Sequence, residues 1–371
     1  MSYSLATLWH ERQRFLPGVL AVAFSALLIA LQCGLLLGLF SITSIPIDHT
    51  QADIWVGAPS VLSVDVGRAI PESYLARVAS QPEVSEAEIY LQGFAYWTKP
   101  NGGSELCIVI GSRLGDSALG AVRELTPELR ARLTEPGAIV VDESELGRLG
   151  IHGMGDTAEI SGQRVRVVGL VHGMKSIAGP YVFCSIETAR VKIRVMERQM
   201  TYVLARCKDS ADAPAVVERL NKYPNMAAFT SKEFSFRSQL HWLTKTKAGI
   251  AFGYAAALGL LVGAVVTSQT LYAAVAASLR EYAVLRALGI PRWRMALTVL
   301  AQSFWVGIAG IGLALPAAFG LAWVAGVFGA NVKLPWELIG IAGAVTMVMA
   351  LLSGFMALRS LRLVEPAALL R

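Results

Sequence analysis

The side chains with the most directional chemistry gather in one stretch, Ser278–Met295 (SLREYAVLRALGIPRWRM), which holds Arg280, Glu281, Arg286, Arg292 and Arg294. Guanidinium and carboxylate groups at this density make charge-assisted hydrogen bonds to polar surfaces, which is the chemistry of recognition rather than of bond cleavage. Ser278 and Glu281 have the S-x-x-E form of a capping box, so a helix can start there. Gly289 can end that helix in a left-handed conformation, and Pro291 cannot continue it. At 100° per residue Arg280, Glu281 and Arg286 point to three different sides. A helix floating on lipid would gather its charges on one face. This pattern suits a helix held on several sides by a protein partner. A plain connector whose arginines anchor its two flanking helices fits the same residues.

The stretch lies between two apolar runs, Ala248–Ala277 and Ala296–Phe328. Each exceeds the roughly 20 residues that cross a bilayer as a helix. The arginines place this face in the cytoplasm, because short cytoplasmic loops carry excess Lys and Arg. Two further runs complete the set: Gly18–Ile42 and Trp336–Leu358. The first is too long for the apolar core of a signal peptide, about 7–15 residues, and lacks a clear cleavage site.

The expected organisation is a cytoplasmic interfacial helix over 1–17, a first span over 18–42 and an extracytoplasmic α/β domain with its stalk over 43–247. A second span over 248–277, a cytoplasmic coupling helix over 278–295 and a third span over 296–328 follow. A short outside link over 329–335, a fourth span over 336–358 and a basic tail over 359–371 close the chain. The fold class is therefore membrane α-helical, with four spans and a mixed α/β domain between the first and second.

Within the polar domain, seven segments rich in Val, Ile and Tyr read as strands: 53–57, 87–97, 106–111, 138–142, 164–171, 181–185 and 202–207. Residues 71–80, 143–149, 186–196 and 211–222 read as helices, and Ser161–Gly162 as a hairpin turn. Residues 231–247 read as a helix running straight into the second span. Gly253, Gly259 and Gly263 let that span approach a neighbour closely. Gln32 and Gln269 are candidates for hydrogen bonds between helices.

Several functions are excluded. No G-x-x-x-x-G-K-[ST], H-E-x-x-H or G-x-S-x-G occurs. The spans lack ionisable groups at mid-depth, which ion-coupled transporters use. The five histidines are dispersed and no C-x-x-C occurs, so no metal site is expected. The net charge of +6 needs no nucleic acid, since cytoplasmic arginines facing lipid headgroups account for much of it. Hydrophobic residues make up 54% and charged ones 16%, against about 25% charged in soluble domains. Cys184 and Cys207 could pair if the domain lies outside the cytoplasm; buried small hydrophobes are the alternative.

The stretch resembles the coupling segment of FtsX/MacB-type (type VII) ABC permeases, whose core reads R-E-[IY]-A-x-L-[RK]-A-[LM]-G. The match runs through Arg280, Glu281, Tyr282, Ala283, Leu285, Arg286, Ala287, Leu288 and Gly289. The closing ALRSLRLVEPAALLR, the GDTAEISGQRVRVVGLV element and QADIWV are similar to family motifs too. Within the family the likeness is nearest to the DevC-type branch.

The resemblance implies a permease that binds no cofactor itself, with ATP and Mg held by a separate cytoplasmic ABC ATPase subunit. It implies a homodimer, mechanotransmission of ATP-driven motion to the outside domain, and a lipid-like or amphiphilic cargo. It further implies a periplasmic membrane-fusion adaptor and a TolC-like outer-membrane channel, in a bacterial inner membrane with both termini cytoplasmic. Coupling to the ATPase would fall to Arg280, Glu281, Tyr282, Leu285, Arg286, Leu288 and Gly289. An FtsX-like signalling protein controlling a cell-wall hydrolase is the alternative.

Overall fold

The computed structural model describes residues 12–277, 291–327 and 332–361. The chain forms two units, one spanning Phe40–Gly249 and the other combining Met1–Leu39 with Ile250–Arg371. In chain order the elements begin with α1 (Arg12–Ser41), α2 (Ile45–Asp48), β1 (Ile54–Gly57), β2 (Ile70–Pro71), α3 (Ser73–Ala79), β3 (Val84–Thr98) and β4 (Ser104–Ser112). Next come α4 (Pro127–Arg132), β5 (Ala138–Asp142), α5 (Leu146–Leu149), β6 (Thr157–Ile160), β7 (Gln163–Val171), β8 (Tyr181–Ser185) and α6 (Ile186–Lys192). Then follow β9 (Gln199–Met200), β10 (Tyr202–Cys207), α7 (Ala213–Leu220), β11 (Ala227–Thr230) and α8 (Ser231–Lys245). The last helices are α9 (Lys247–Ala277), α10 (Arg292–Val327) and α11 (Trp336–Leu361).

The polar unit is built on β3. Its first half pairs with β10 and its second half with β4, both antiparallel. Its tip, Trp97 and Thr98, pairs with β6. The sheet order is β11-β1-β10-β3-β4-β8-β5-β7-β6. Because β6 returns to β3, the six strands from β3 to β6 close into a ring, which removes exposed edges there. Strands β10, β1 and β11 extend from β3 as a wing. Alternation with period two sends successive residues to opposite faces. Ile54 and Val56 thus join one apolar cluster and Trp55 the other. The β6–β7 hairpin turns at Ser161 and Gly162, both at positive φ (52° and 77°), as a type I′ turn requires.

The strands expected from sequence are present, while α2, α4, β11 and the small β2–β9 pair are additions. All four are short and carry little periodicity of their own. Cys184 and Cys207 are free and buried. They lie on β8 and β10, which are separated by β3 and β4. Three strand spacings of about 4.8 Å each put them beyond disulfide reach.

Among the described residues four helices are long and apolar enough to cross a membrane: Phe15–Ser41, Gly249–Thr270, Ala296–Val327 and Trp336–Phe355. Arg12–Pro17 continue into the first of them as one helix, and the rest of the surface helix expected over 1–17 lies outside the described residues. Helix α1 supplies Phe15 and Val22 to a cluster with Val306 and Ala350, and Ile29 and Ala30 to one with Ala318 and Ala342. Lipid tails are as apolar as these side chains, so close packing rather than hydrophobic exclusion holds the helices together. Gly310 accordingly lies against Val22, with a Cβ there falling 2.6 Å from the valine Cγ1. Pro316 lies within α10.

The indole of Trp55 is fully buried and lies 5.1 Å from the Tyr90 ring, 5.5 Å from Tyr202 and 5.7 Å from Phe234. Removing it leaves a cavity that three aromatic rings cannot fill. Trp55→Ala is expected to lower stability by about 3–5 kcal/mol, read from denaturant unfolding of the purified protein.

Candidate functional site

The polar unit ends in α8, which leads into the second span. The helix starts where β11 ends: the Thr230 hydroxyl accepts the Glu233 N–H at 3.3 Å as an N-cap. Four side chains then tie it to the rest of the unit. Ser238 Oγ accepts the Val64 N–H at 3.1 Å, and Arg237 Nε donates to the Val61 carbonyl at 3.0 Å. Gln239 Nε2 donates to Ser44 Oγ at 2.9 Å, and Trp242 Nε1 donates to Asp65 Oδ2 at 3.2 Å. Phe234 is fully buried and stacks on Phe229 at 5.1 Å.

A continuous rigid helix from 231 into the second span was expected, and this is corrected. The helix is interrupted at Thr246, which is extended (φ −97°, ψ 146°). Its hydroxyl donates to the Trp242 carbonyl at 2.5 Å and accepts the Gly249 N–H at 3.1 Å. One side chain therefore serves the last turn of α8 and the first turn of α9. Gly249 permits the approach: a Cβ there would overlap the Trp242 carbonyl and sit 2.7 Å from Leu243 Cα.

Asp65 is the one strongly perturbed carboxylate of this joint. It is 6% exposed and sits on a short 3-10 turn, Val64–Val66. Burial pushes its pKa up to about 7, against the lowering effect of bonds from Trp242 and from Gln92 Nε2 at 3.1 Å. Beside it, Gln92 Oε1 and the Tyr90 hydroxyl are buried without hydrogen-bond partners. Burial, with the Asp65 charge adding to it, holds the Tyr90 phenol well above its ordinary value.

In the membrane unit, three of the five residues singled out for packing meet α1 or belong to it. Gln32 lies over Gly259, where a Cβ would overlap its carboxamide, and its Oε1 is buried without a partner. Gly263 lies against Ser25, whose hydroxyl bonds the Gly263 carbonyl at 2.9 Å and Thr267 Oγ1 at 2.8 Å. Gly253 faces open space and Gln269 is exposed. The two glutamines are thus not brought together. Of the coupling residues, Arg280, Glu281, Tyr282, Leu285, Arg286, Leu288 and Gly289 lie outside the described residues. Arg292 and Arg294 belong to the first turn of α10, with the Arg294 guanidinium 5.2 Å from the Trp293 ring centroid.

Among the described residues no three His, Cys, Asp or Glu side chains converge as a metal site would require. Residues 19–223 match the model of the MacB-like periplasmic core domain, and residues 253–366 that of the FtsX-like permease C-terminal domain. The chain belongs to the FtsX/MacB-type permeases.

Solved structures similar to this permease include the periplasmic region of MacB from Actinobacillus actinomycetemcomitans, at 14% identity over 50% of this chain and 92% of that one (TM-score 0.35). The extracellular domain of the noncanonic ABC-type transporter YknZ from Gram-positive bacteria aligns at 11% identity over 48% and 99% (TM-score 0.33). No curated protein matches the chain. Membership makes it a transmembrane permease component of an ABC-type transporter.

The permease joint contains residues that sequence reasoning missed. Asp65 and Trp242 are 177 positions apart and nothing in their neighbourhoods links them. Thr246 had a usable signal, a threonine just before an apolar run. Gly249→Ala is expected to lower stability by about 1–3 kcal/mol through overpacking against α8. Thermal unfolding of the purified permease measures it, with Gly253→Ala, in open space, expected to be near neutral.

Proposed function

We propose that this permease relays motion of a separate cytoplasmic ABC ATPase to its outer domain, and that it exports a lipid-like or amphiphilic cargo. ATP and Mg are held by the ATPase, which docks on Arg280, Glu281, Tyr282, Leu285, Arg286, Leu288 and Gly289. A periplasmic adaptor and a TolC-like channel carry the cargo onward from a bacterial inner membrane, with both termini cytoplasmic. The observation that carries this reading is α8: four side-chain ties fix it to the outer domain, and the Thr246 hydroxyl bonds Trp242 and Gly249 at its end. The spans offer no charged groups at mid-depth for a polar path. Cargo in this reading enters from the outer leaflet or the outside compartment. A relay needs only that ATP binding favour one of two arrangements by a few kcal/mol.

A flexible Gly-Ser insertion between Lys245 and Ala248 tests the relay. ATP hydrolysis is expected to continue while export stops; export at the normal rate would refute it. Docking is tested separately by Glu281→Ala and Arg286→Ala, which are expected to weaken co-purification with the ATPase and its stimulated turnover.

The permease is further proposed to work as a homodimer packed through its first two spans. Gly259 and Gly263 already face α1 of the same chain. The second span leaves an exposed stripe, Tyr254, Leu258, Leu261 and Val265, at i, i+4, i+7 and i+11. Cysteines placed along that stripe are expected to crosslink between copies, and absence of crosslinks at every register would count against the dimer face.

A further inference from the structure

The polar cluster beneath the stalk helix is not explained by stability. Burying a carboxylate without a cation costs free energy, and Asp65 has no ion-pair partner among the described residues. A domain has few orphaned buried polar atoms, and each invites an explanation. Here the unpartnered Gln92 Oε1 belongs to the amide that bonds Asp65, and the unpartnered Tyr90 Oη feels its charge. Asp65 also holds the last turn of α8 through Trp242, whose own carbonyl receives the Thr246 hydroxyl.

We propose that Asp65 is a proton-operated clasp between the stalk helix and the core of the outer domain. Without its proton, the carboxylate accepts the Trp242 and Gln92 N–H groups but remains a buried, uncompensated charge. With its proton, Asp65 is neutral and gains a donor in a cluster whose Gln92 Oε1 and Tyr90 oxygen lack one. The closed clasp is therefore favoured by protonation, and loss of the proton favours opening of α8 toward water.

The tyrosines that face Asp65 are uncharged near neutral pH. Tyr90 faces it from β3, Tyr181 from β8 and Tyr202 from β10, and burial holds all three phenols far above neutrality. On the same face of β3, Glu88 is occupied by the N–H groups of Leu119 and Gly120 at 3.0 and 3.4 Å. From α8, Arg237 is bonded to the Val61 carbonyl, and burial followed by the neighbouring Lys245 holds His241 below its ordinary value.

The direction follows from linkage. Asp65 titrates at about 7 when closed and near its ordinary 3.8 when exposed. The closed state binds the extra proton between those values, so its advantage is full below the lower one, falls as pH rises and levels off above about 7. A domain facing the outside of a cell membrane meets the pH of its surroundings, so the clasp would respond to them. The clasp is a property of the outer domain alone and stands whether or not the export reading holds.

The test uses the full-length permease in lipid nanodiscs, without ATPase or cargo. Hydrogen exchange of backbone amides in Ser231–Lys245 is followed from pH 5 to 8.5 and corrected for intrinsic exchange. Protection is expected to fall by about ten- to a hundredfold between pH 5 and 7, since one proton gives at most about tenfold per pH unit, and then to level off. A flat profile in the unaltered protein overturns the proposal without any variant. Asp65→Asn is expected to abolish the fall and to keep the protection seen at low pH; a fall persisting in that variant assigns the titration elsewhere and overturns it. Trp242→Phe, which keeps an aromatic ring but removes the indole donor, is expected to enlarge the fall. An unchanged profile there refutes Trp242 as the tie.

Discussion

A helix that is broken where the chain enters lipid leaves carbonyls at one end and N–H groups at the other without partners. In this permease the Thr246 hydroxyl answers both sides of the break, donating to the Trp242 carbonyl and accepting the Gly249 N–H. Gly249 has no side chain because the α8 backbone occupies the space. Trp242 is held in place to reach Asp65. The ties from Ser238, Arg237 and Gln239 keep the stalk helix on the outer domain.

Much of the architecture was legible in the sequence because it is written in strong periodicities. Four long apolar runs can cross a bilayer only as helices or closed barrels, and their length selects helices. The Val- and Ile-rich segments of the outer domain appear as β1, β3, β4, β5, β7, β8 and β10. The Ser161–Gly162 turn was visible because both positions need positive φ. Less visible was the return of β6 to β3 that closes the six-stranded ring, since the contact of Trp97 with Ile160 spans 63 positions and leaves no local trace.

The joint was legible only in part. A helix over 231–247 was expected, and the break at Thr246 left only a weak trace, a threonine just before an apolar run. Small residues in the second span announced close packing without naming the partner. Gly259 and Gly263 meet Gln32 and Ser25, whereas Gly253 meets nothing within 4 Å. Spacing alone does not distinguish these, because which face of a helix meets a neighbour is decided by the tertiary fold. Asp65 carried no signal at all: it is an ordinary acidic residue whose burial comes from strands and a helix far away in sequence.

In the proposed relay the stalk helix moves with the ATPase cycle. Phe236 is exposed on α8 and makes a suitable site for a nitroxide label in the assembled transporter. Pulsed electron paramagnetic resonance between labels on the two permease copies should show the distance distribution shift by several Å between the nucleotide-free and ATP-bound states. Identical distributions in the two states, with ATP binding verified in the same sample, would contradict the relay.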